Sequence, residues 1–298
     1  MRWLLLLLVL FSSQCFSETS LWRVSKGAHS LFIGGTIHVL RKTDFPLPAA
    51  FDDAFKQSSK IIFETDIAAT ENPAFGQQMM QRLMYSDGRT LQTGLSPKTY
   101  QQLEKFCTER GVPILMFQQM RPPAAVLTLL MLELQRLGIS NAGVDSYFFQ
   151  RALAEHKGIG ELETAAEQLE FVANIGKGRE DDFVRYSLKD MQELELVMAE
   201  LTAAWREGDQ KKMAALSLDE MRKEFPGMYQ QLLVERNTNW LPRIESMLKD
   251  PGVELVLVGA LHLVGEEGVL AMLRDRGYGL EQWERPLIKI DCIRRFRG

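Results

Sequence analysis

Apolar and polar positions along this chain follow two rhythms. Leu31-Phe32-Ile33, residues 60–63, residues 159–162 and residues 253–258 are short, nearly unbroken apolar runs bounded by polar or glycine residues. Such runs predict buried strands, and residues 280–283 read as a shorter final strand. Between them the period lengthens to that of helices. Residues 48–57 are helical in pattern, and Ser96-Pro97 opens a capped helix that ends at Arg110-Gly111, with proline at its first position and glycine beyond its end. Residues 122–137 close at Gly138 in the same way, and residues 143–156 form another amphipathic helix. Thr164 is a natural N-cap for residues 165–173. From 180 to 249 the chain is helical almost throughout, punctuated at Gly208 and Pro226-Gly227, and residues 266–276 form a last helix before Gly277. The pattern predicts an α/β fold: a central mixed sheet with strands from both chain ends and a large helical insertion.

The first residues change the picture of where the protein works. Met1-Arg2 is followed by an apolar stretch from Trp3 to Phe11, too short for a stable bilayer anchor, and by small residues up to Ser17. This predicts a signal peptide over residues 1–17, cut before Glu18, and a protein that is exported to the periplasm or secreted. Residues 18–298 then form a single domain, since no linker or low-complexity segment divides them. The whole chain has 35 Lys+Arg against 39 Asp+Glu, a net of −4; losing Arg2 leaves 34 against 39, a net of −5. With the signs interspersed there is no basic stripe for a phosphate backbone, which excludes nucleic acid as an expected partner. The apolar stretch 124–132 is interrupted by Glu133 and is too short to span a membrane, so it reads as core. Cys107 and Cys292 are either one disulfide or two buried thiols. No CxxC pair is present, so a thiolate zinc site has no support.

Chemistry concentrates in a repeated element. Gly35-Thr36-Ile37-His38 and Gly259-Ala260-Leu261-His262 each follow an apolar run, and together they hold half of the chain's 4 histidines. Composition alone would give about 0.3 Gly-x-x-His matches, so a matched pair at two strand ends favours function over coincidence. Ligands of α/β sheets bind beyond the carboxyl ends of strands, and a glycine there lets the chain turn and approach a ligand. Glu64 follows Ile61-Ile62-Phe63 and completes a set of two histidines and one carboxylate, enough for a divalent ion with a position left for water. Asp66 on the same turn is a supporting carboxylate. Glu161 and Glu163 flank Leu162 and share a face by alternation; Glu163 is either a general base or a first-turn acid. Arg236 and Trp240 share a helix face, and Arg236 with Asn237 could hold a substrate carboxylate or simply be solvated. His29 and His156 lie in no motif and read as surface residues, and the methionines Met79, Met80 and Met84 read as core packing. No Gly-x-Ser-x-Gly elbow, Walker loop or dinucleotide fingerprint occurs.

Taken in order, these motifs resemble the TraB/GumN family, which includes the Tiki Wnt-processing proteases. The resemblance is carried by residues 31–40 with Gly35-x-x-His38, Glu64, Gly143-Val144-Asp145, and Glu161-Leu162-Glu163-Thr164 with Gln168-Leu169. Glu235-Arg236-Asn237 with Trp240, and Val258-Gly259-x-x-His262-Leu263 with Gly265, complete it. It implies a metal-dependent hydrolase, peptidase-like, with His38, His262 and Glu64 holding a divalent ion (Zn, Mn or Co). Glu64, Glu163 and Asp145 would then be the catalytic carboxylates, and Arg236 and Asn237 the pocket residues that bind a peptide or protein substrate. Some members resemble pheromone-shutdown proteins, so the resemblance also allows capture of a peptide or haem-like ligand without turnover; a polarising metal equally allows ester hydrolysis. Tiki proteins are membrane-tethered, whereas no stable transmembrane anchor is expected here after Trp283.

Overall fold

The computed structural model of the protein describes residues 19–139 and 143–284. The expected signal peptide and Cys292 lie outside the described residues. Six strands form one sheet: β1 (Leu21–Lys26), β2 (His29–Thr36), β3 (Lys60–Thr65), β4 (Gly158–Glu163), β5 (Glu254–Gly259) and β6 (Gly279–Gln282). Their order is β4-β3-β5-β2-β1-β6. The first four in that order are mutually parallel, and β1 pairs antiparallel with both β2 and β6. The fold is therefore the mixed α/β arrangement that the pattern predicts, with both chain ends contributing strands.

Alternation along the strands divides the core into two layers. Phe32, Ile61, Phe63, Leu255 and Leu257 face one side, where they meet Phe51 and Phe55 of the helix Ala49–Gln57, Phe148 and Trp205. Leu31, Ile33, Ile62, Val256 and Val258 face the other side and are covered by Trp240, Leu241 and Ile244 of the helix Glu235–Met247 and by Val269 and Leu273. Strands buried on both faces read as continuous apolar runs rather than alternating ones, which is why β3 and β5 were legible.

Local signals set the helix limits. Ser96 Oγ accepts the Thr99 N–H at 3.3 Å to start the helix Pro97–Glu109, and Thr164 and Glu167 form a reciprocal capping box at Ala165–Asn174. Gly208 takes φ +67° between the helices Leu194–Glu207 and Gln210–Ser217, a left-handed position that suits glycine. The helical middle is segmented further than its composition predicts, and it passes through a π-helical turn, Gln230–Val234, directly before the helix Glu235–Met247. The expected helix over 266–276 is shorter, Val269–Asp275, because the chain first makes a 3₁₀ turn at Ala260–His262 and a glycine turn at Gly265 with φ +84°.

β1 was not read from the sequence. Its Leu21, Trp22 and Val24 are buried, but polar Arg23 and Ser25 interrupt them, so the run looks amphipathic and short. Met80, expected in the core, is 54% exposed; the helix Pro73–Leu83 buries only Leu83. Among the described residues, no helix is long and apolar enough to cross a membrane.

Candidate active centre at the carboxyl edge of the sheet

The two Gly-x-x-His elements leave the sheet side by side. β2 and β5 are adjacent and parallel, with Gly35 opposite Val258 and Thr36 opposite Gly259. His38 follows in a loop and His262 in the 3₁₀ turn after β5. β3 lies on the other side of β5 and β4 beyond it, so Glu64 and Glu163 arrive at the same edge.

The glycines act differently from the expected tight turn. Neither has positive φ, and Gly35 lies within β2 rather than after it. A Cβ on Gly35 would stand 3.0 Å from the Ala260 Cα, so glycine here allows two neighbouring chain segments to touch. A Cβ on Gly259 would stand 3.2 Å from Glu64 Oε1, 3.4 Å from His38 Nε2 and 3.6 Å from His262 Cδ2. The second glycine keeps open the space between the three candidate ligands.

Each imidazole is anchored through Nδ1. His38 Nδ1 lies 2.7 Å from Asp145 Oδ2, while Thr36 Oγ1 donates to Asp145 Oδ1 at 2.9 Å. Gly143 makes this possible: a Cβ there would fall 2.2 Å from the His38 carbonyl carbon, and the Val144 N–H donates to the Ile37 carbonyl at 3.0 Å. Asp145 sits in the first turn of the helix Val144–Ala154, where the helix dipole favours a carboxylate. His262 Nδ1 lies 2.6 Å from Asn237 Oδ1, and the Asn237 amide donates to the Glu267 carbonyl at 2.8 Å.

Glu64 lies between the rings. Its Oε1 accepts the Gly259 N–H at 2.6 Å and stands 3.9 Å from both His38 Nε2 and His262 Nε2. Its Oε2 accepts from Arg236 Nη2 at 2.7 Å. Arg236 also grips Glu163, through Nη2 to Oε1 at 2.7 Å and Nε to Oε2 at 3.2 Å, and places Nη1 3.2 Å from His262 Nε2. Its guanidinium is stacked between Phe171 and Trp240, 4.7 and 4.6 Å from the ring centres. Trp240 Nε1 donates to Glu163 Oε2 at 3.1 Å, so both Glu163 oxygens are engaged. Removing one member of a buried charge cluster of this kind typically costs about 3–5 kcal/mol, because the remaining charges lose their partner.

The environment separates the titrations. Burial alone would raise the Glu64 carboxyl, but Arg236, the two histidines and the Gly259 N–H outweigh it and hold the pKa at about 2. The Asp145 carboxylate, aided by Glu64, raises His38 to about 9 against the opposing effect of desolvation. Burial, with Arg236 and His38 adding to it, lowers His262 to about 3 despite Glu64.

The structure thus brings His38, Glu64, Asp145, Glu163, Arg236, Asn237 and His262 into one cluster. Other expected residues fall outside it. Asp66 caps the short helix Ile67–Thr70 by accepting the Ala69 N–H at 3.0 Å, and Glu161 is exposed. His156 is exposed with φ +53°, and His29 is half-buried at the start of β2. Arg236 and Asn237 are turned inward, both ends of the asparagine amide being used within the protein. Thr36, Gln168 and Phe171 were not assigned roles from sequence. Thr36 stood inside the first motif, and Gln168 and Phe171 lie three residues apart on one helix face.

The donor chemistry fits a divalent ion. Imidazoles anchored at Nδ1 present Nε2, as metal-ligating histidines do, and Gly259 leaves the cradle free of a Cβ; at His262 that nitrogen accepts from Arg236 Nη1 at 3.2 Å, a contact that an ion would displace. The spacing is open: 3.9 Å exceeds the roughly 3.4 Å edge of a tetrahedral zinc site. Among the described residues no group of three or more His, Cys, Asp or Glu side chains is closed around a metal position.

The profile of the TraB/PrgY/gumN family matches residues 20–282. The chain belongs to this family. Its TraB-type relatives include YbaP of Shigella flexneri, 25% identical over 250 residues that span 83% of this chain and 88% of that protein. YbaP of Escherichia coli strain K12 is also 25% identical, over 244 residues spanning 80% and 86%. No solved structure matches. The family match spans all the clustered residues, from His38 to His262.

Proposed function

We propose that this TraB-family protein is an exported metal-dependent hydrolase of amide bonds, peptidase-like in its chemistry. His38, His262 and Glu64 would hold a divalent ion such as Zn, Mn or Co. One observation carries the reading: two imidazoles, each fixed through Nδ1, direct Nε2 toward the same Glu64 oxygen over the space kept open by Gly259. A divalent ion bound there would act as a Lewis acid, activating water and polarising a carbonyl, which suits an amide and also an ester. The chain's own residues supply orientation and charge. Asp145 and Asn237 hold the rings, and Glu163 steers Arg236, whose guanidinium balances the charge of Glu64. Substrate would enter by the cleft of about 310 Å³ that Glu163, Arg236, Phe171 and Trp240 line. Residues 1–17 support export.

Metal analysis of purified protein tests this reading. The wild type is expected to take up a divalent metal, and His38→Ala and His262→Ala to weaken that uptake by at least the 10–100-fold typical of losing even a supporting partner. Wild-type protein that stays metal-free when folded and supplied with metal would sink the proposal. Digestion of a mixed peptide library by the loaded protein then tests turnover.

A second reading has its own support. Glu64, Glu163 and Asp145 all have both oxygens engaged, leaving no carboxylate free as a base. This favours capture of a peptide or haem-like ligand without turnover. A tightly bound peptide recovered intact after prolonged incubation with metal-loaded protein supports capture, and its cleavage rejects it.

A further inference from the structure

A smaller cleft, of about 140 Å³, lies where the start of the helix Pro122–Arg136 meets the loop after Ala165–Asn174. Its walls include Tyr85, Arg89, Arg121, Lys177 and Glu180. Three cations face this space against one carboxylate, and Glu180 already accepts the Gly178 N–H at 3.0 Å. Arg89 is paired with Asp87, through Nε at 2.9 Å and Nη2 at 2.7 Å. Arg121 is not paired. Its Nε is buried with no hydrogen-bond partner, and its guanidinium stands 5.9 Å from the centre of the Tyr85 ring. Among the described residues no carboxylate lies within ion-pair distance of Arg121 or Lys177. A guanidinium that lines a cleft with no carboxylate beside it favours an anionic guest. The first two helical residues, Pro122 and Pro123, have no N–H to offer.

We propose that this cleft is an oxyanion site, which takes a carboxylate or phosphate group with Arg121 as its forked donor and Lys177 as a point charge at its mouth. A guanidinium matches the paired oxygens of such groups, and an ammonium adds charge without fixing orientation. The cleft is too small for a whole ligand, whose pockets usually exceed about 300 Å³, and suits one anionic group. It is also connected. Lys177 lines a neighbouring groove of about 350 Å³ together with Gln231 and Glu235. Those two residues also line the cleft that holds Glu163 and Arg236. An extended ligand anchored by an anionic end at Arg121 therefore has a path, through linings that share Lys177, Gln231 and Glu235, as far as Glu163 and Arg236. The site stands on Arg121 and Lys177 and does not require a metal at His38 and His262.

Calorimetric titration of the full chain tests it, with three probes: inorganic phosphate, an acetylated hexapeptide with a free C-terminus, and the same peptide amidated. The wild type is expected to bind phosphate, the free-acid peptide or both, and the amidated peptide more weakly than the free acid. Arg121→Gln and, separately, Lys177→Glu should each weaken binding about tenfold or more. Binding of phosphate alone assigns the site to free phosphate, and binding of the free-acid peptide alone assigns it to a peptide terminus. The proposal is overturned if neither phosphate nor free acid binds at millimolar concentration, or if only peptide binds and amidation has no effect. It is equally overturned if both variants bind as the wild type does. Lys177 is exposed, so Lys177→Glu decides the matter even if Arg121→Gln does not fold.

Discussion

The two Gly-x-x-His elements are alike in sequence and opposite in physical character. His38 has a side chain 59% exposed and rests against a carboxylate; His262 is 7% exposed and rests against a neutral amide. The first ring is drawn toward the charged form and the second is held neutral. Their glycines differ too, Gly35 packing one chain segment against another and Gly259 keeping a cradle open. A repeated motif therefore does not repeat a role: what each element does is set by the neighbour its side chains find.

The glycines offer the largest effect. Gly259→Ala places a methyl group among Glu64, His38 and His262, and should lower metal affinity by 100-fold or more while the protein stays folded, as read by calorimetry beside circular dichroism. Gly35→Ala pushes against backbone and should instead cost about 1–3 kcal/mol of stability, with metal affinity kept in the folded fraction. Equal losses of affinity in both variants would break the contrast.

The titrations should diverge in a nitrogen-15 NMR experiment on the metal-free protein. His38 is expected to lose its proton near pH 9, and His262 to remain neutral down to about pH 3. The linked stabilities have opposite slopes. His38, raised from 6.5, contributes stability that is complete below 6.5 and lost as pH rises through about 9. His262, lowered from 6.5, contributes stability present above 6.5 and lost as pH falls through about 3. Glu64, lowered from 4.5, adds a loss between 4.5 and about 2, which Glu64→Gln should abolish. Two imidazoles titrating together would refute the assignment of their partners.

A smaller effect sharpens the cause. Asp145→Asn should bring the His38 titration back toward 6.5, while Asn237→Asp should move that of His262 upward, both followed by the same NMR signals. If Asp145→Asn leaves His38 where it is, Asp145 is not the source of the shift.

Much of this centre was legible because its residues sit at element ends, where local signals are strongest. Glu64 ends an apolar run, Glu163 precedes the N-cap Thr164, and both histidines follow glycine at a strand end. Asp145 was visible beside Gly143, although the reason for that glycine, contact with the His38 backbone, was not. Arg236 and Asn237 were placed on the right helix, but whether they faced solvent, substrate or one another's partners could not be read, because a helix face has no address until it is packed. β1 was missed because polar Arg23 and Ser25 break up its three buried positions, and Met80 was misplaced because an apolar side chain does not record whether anything covers it.

By itself, then, the sequence determined the period of each segment, its caps, and the chemical types gathered at strand ends, all of which depend on residues within a few positions of one another. Tertiary structure alone decided that β5 lies between β3 and β2, and this one placement brings together Glu64 and His262, 198 positions apart. It also decided which ring is buried, which carboxylates Arg236 grips, and which N–H groups are left without an acceptor. Such outcomes rest on desolvation and on charges met across the sheet edge, and neither is written in local sequence.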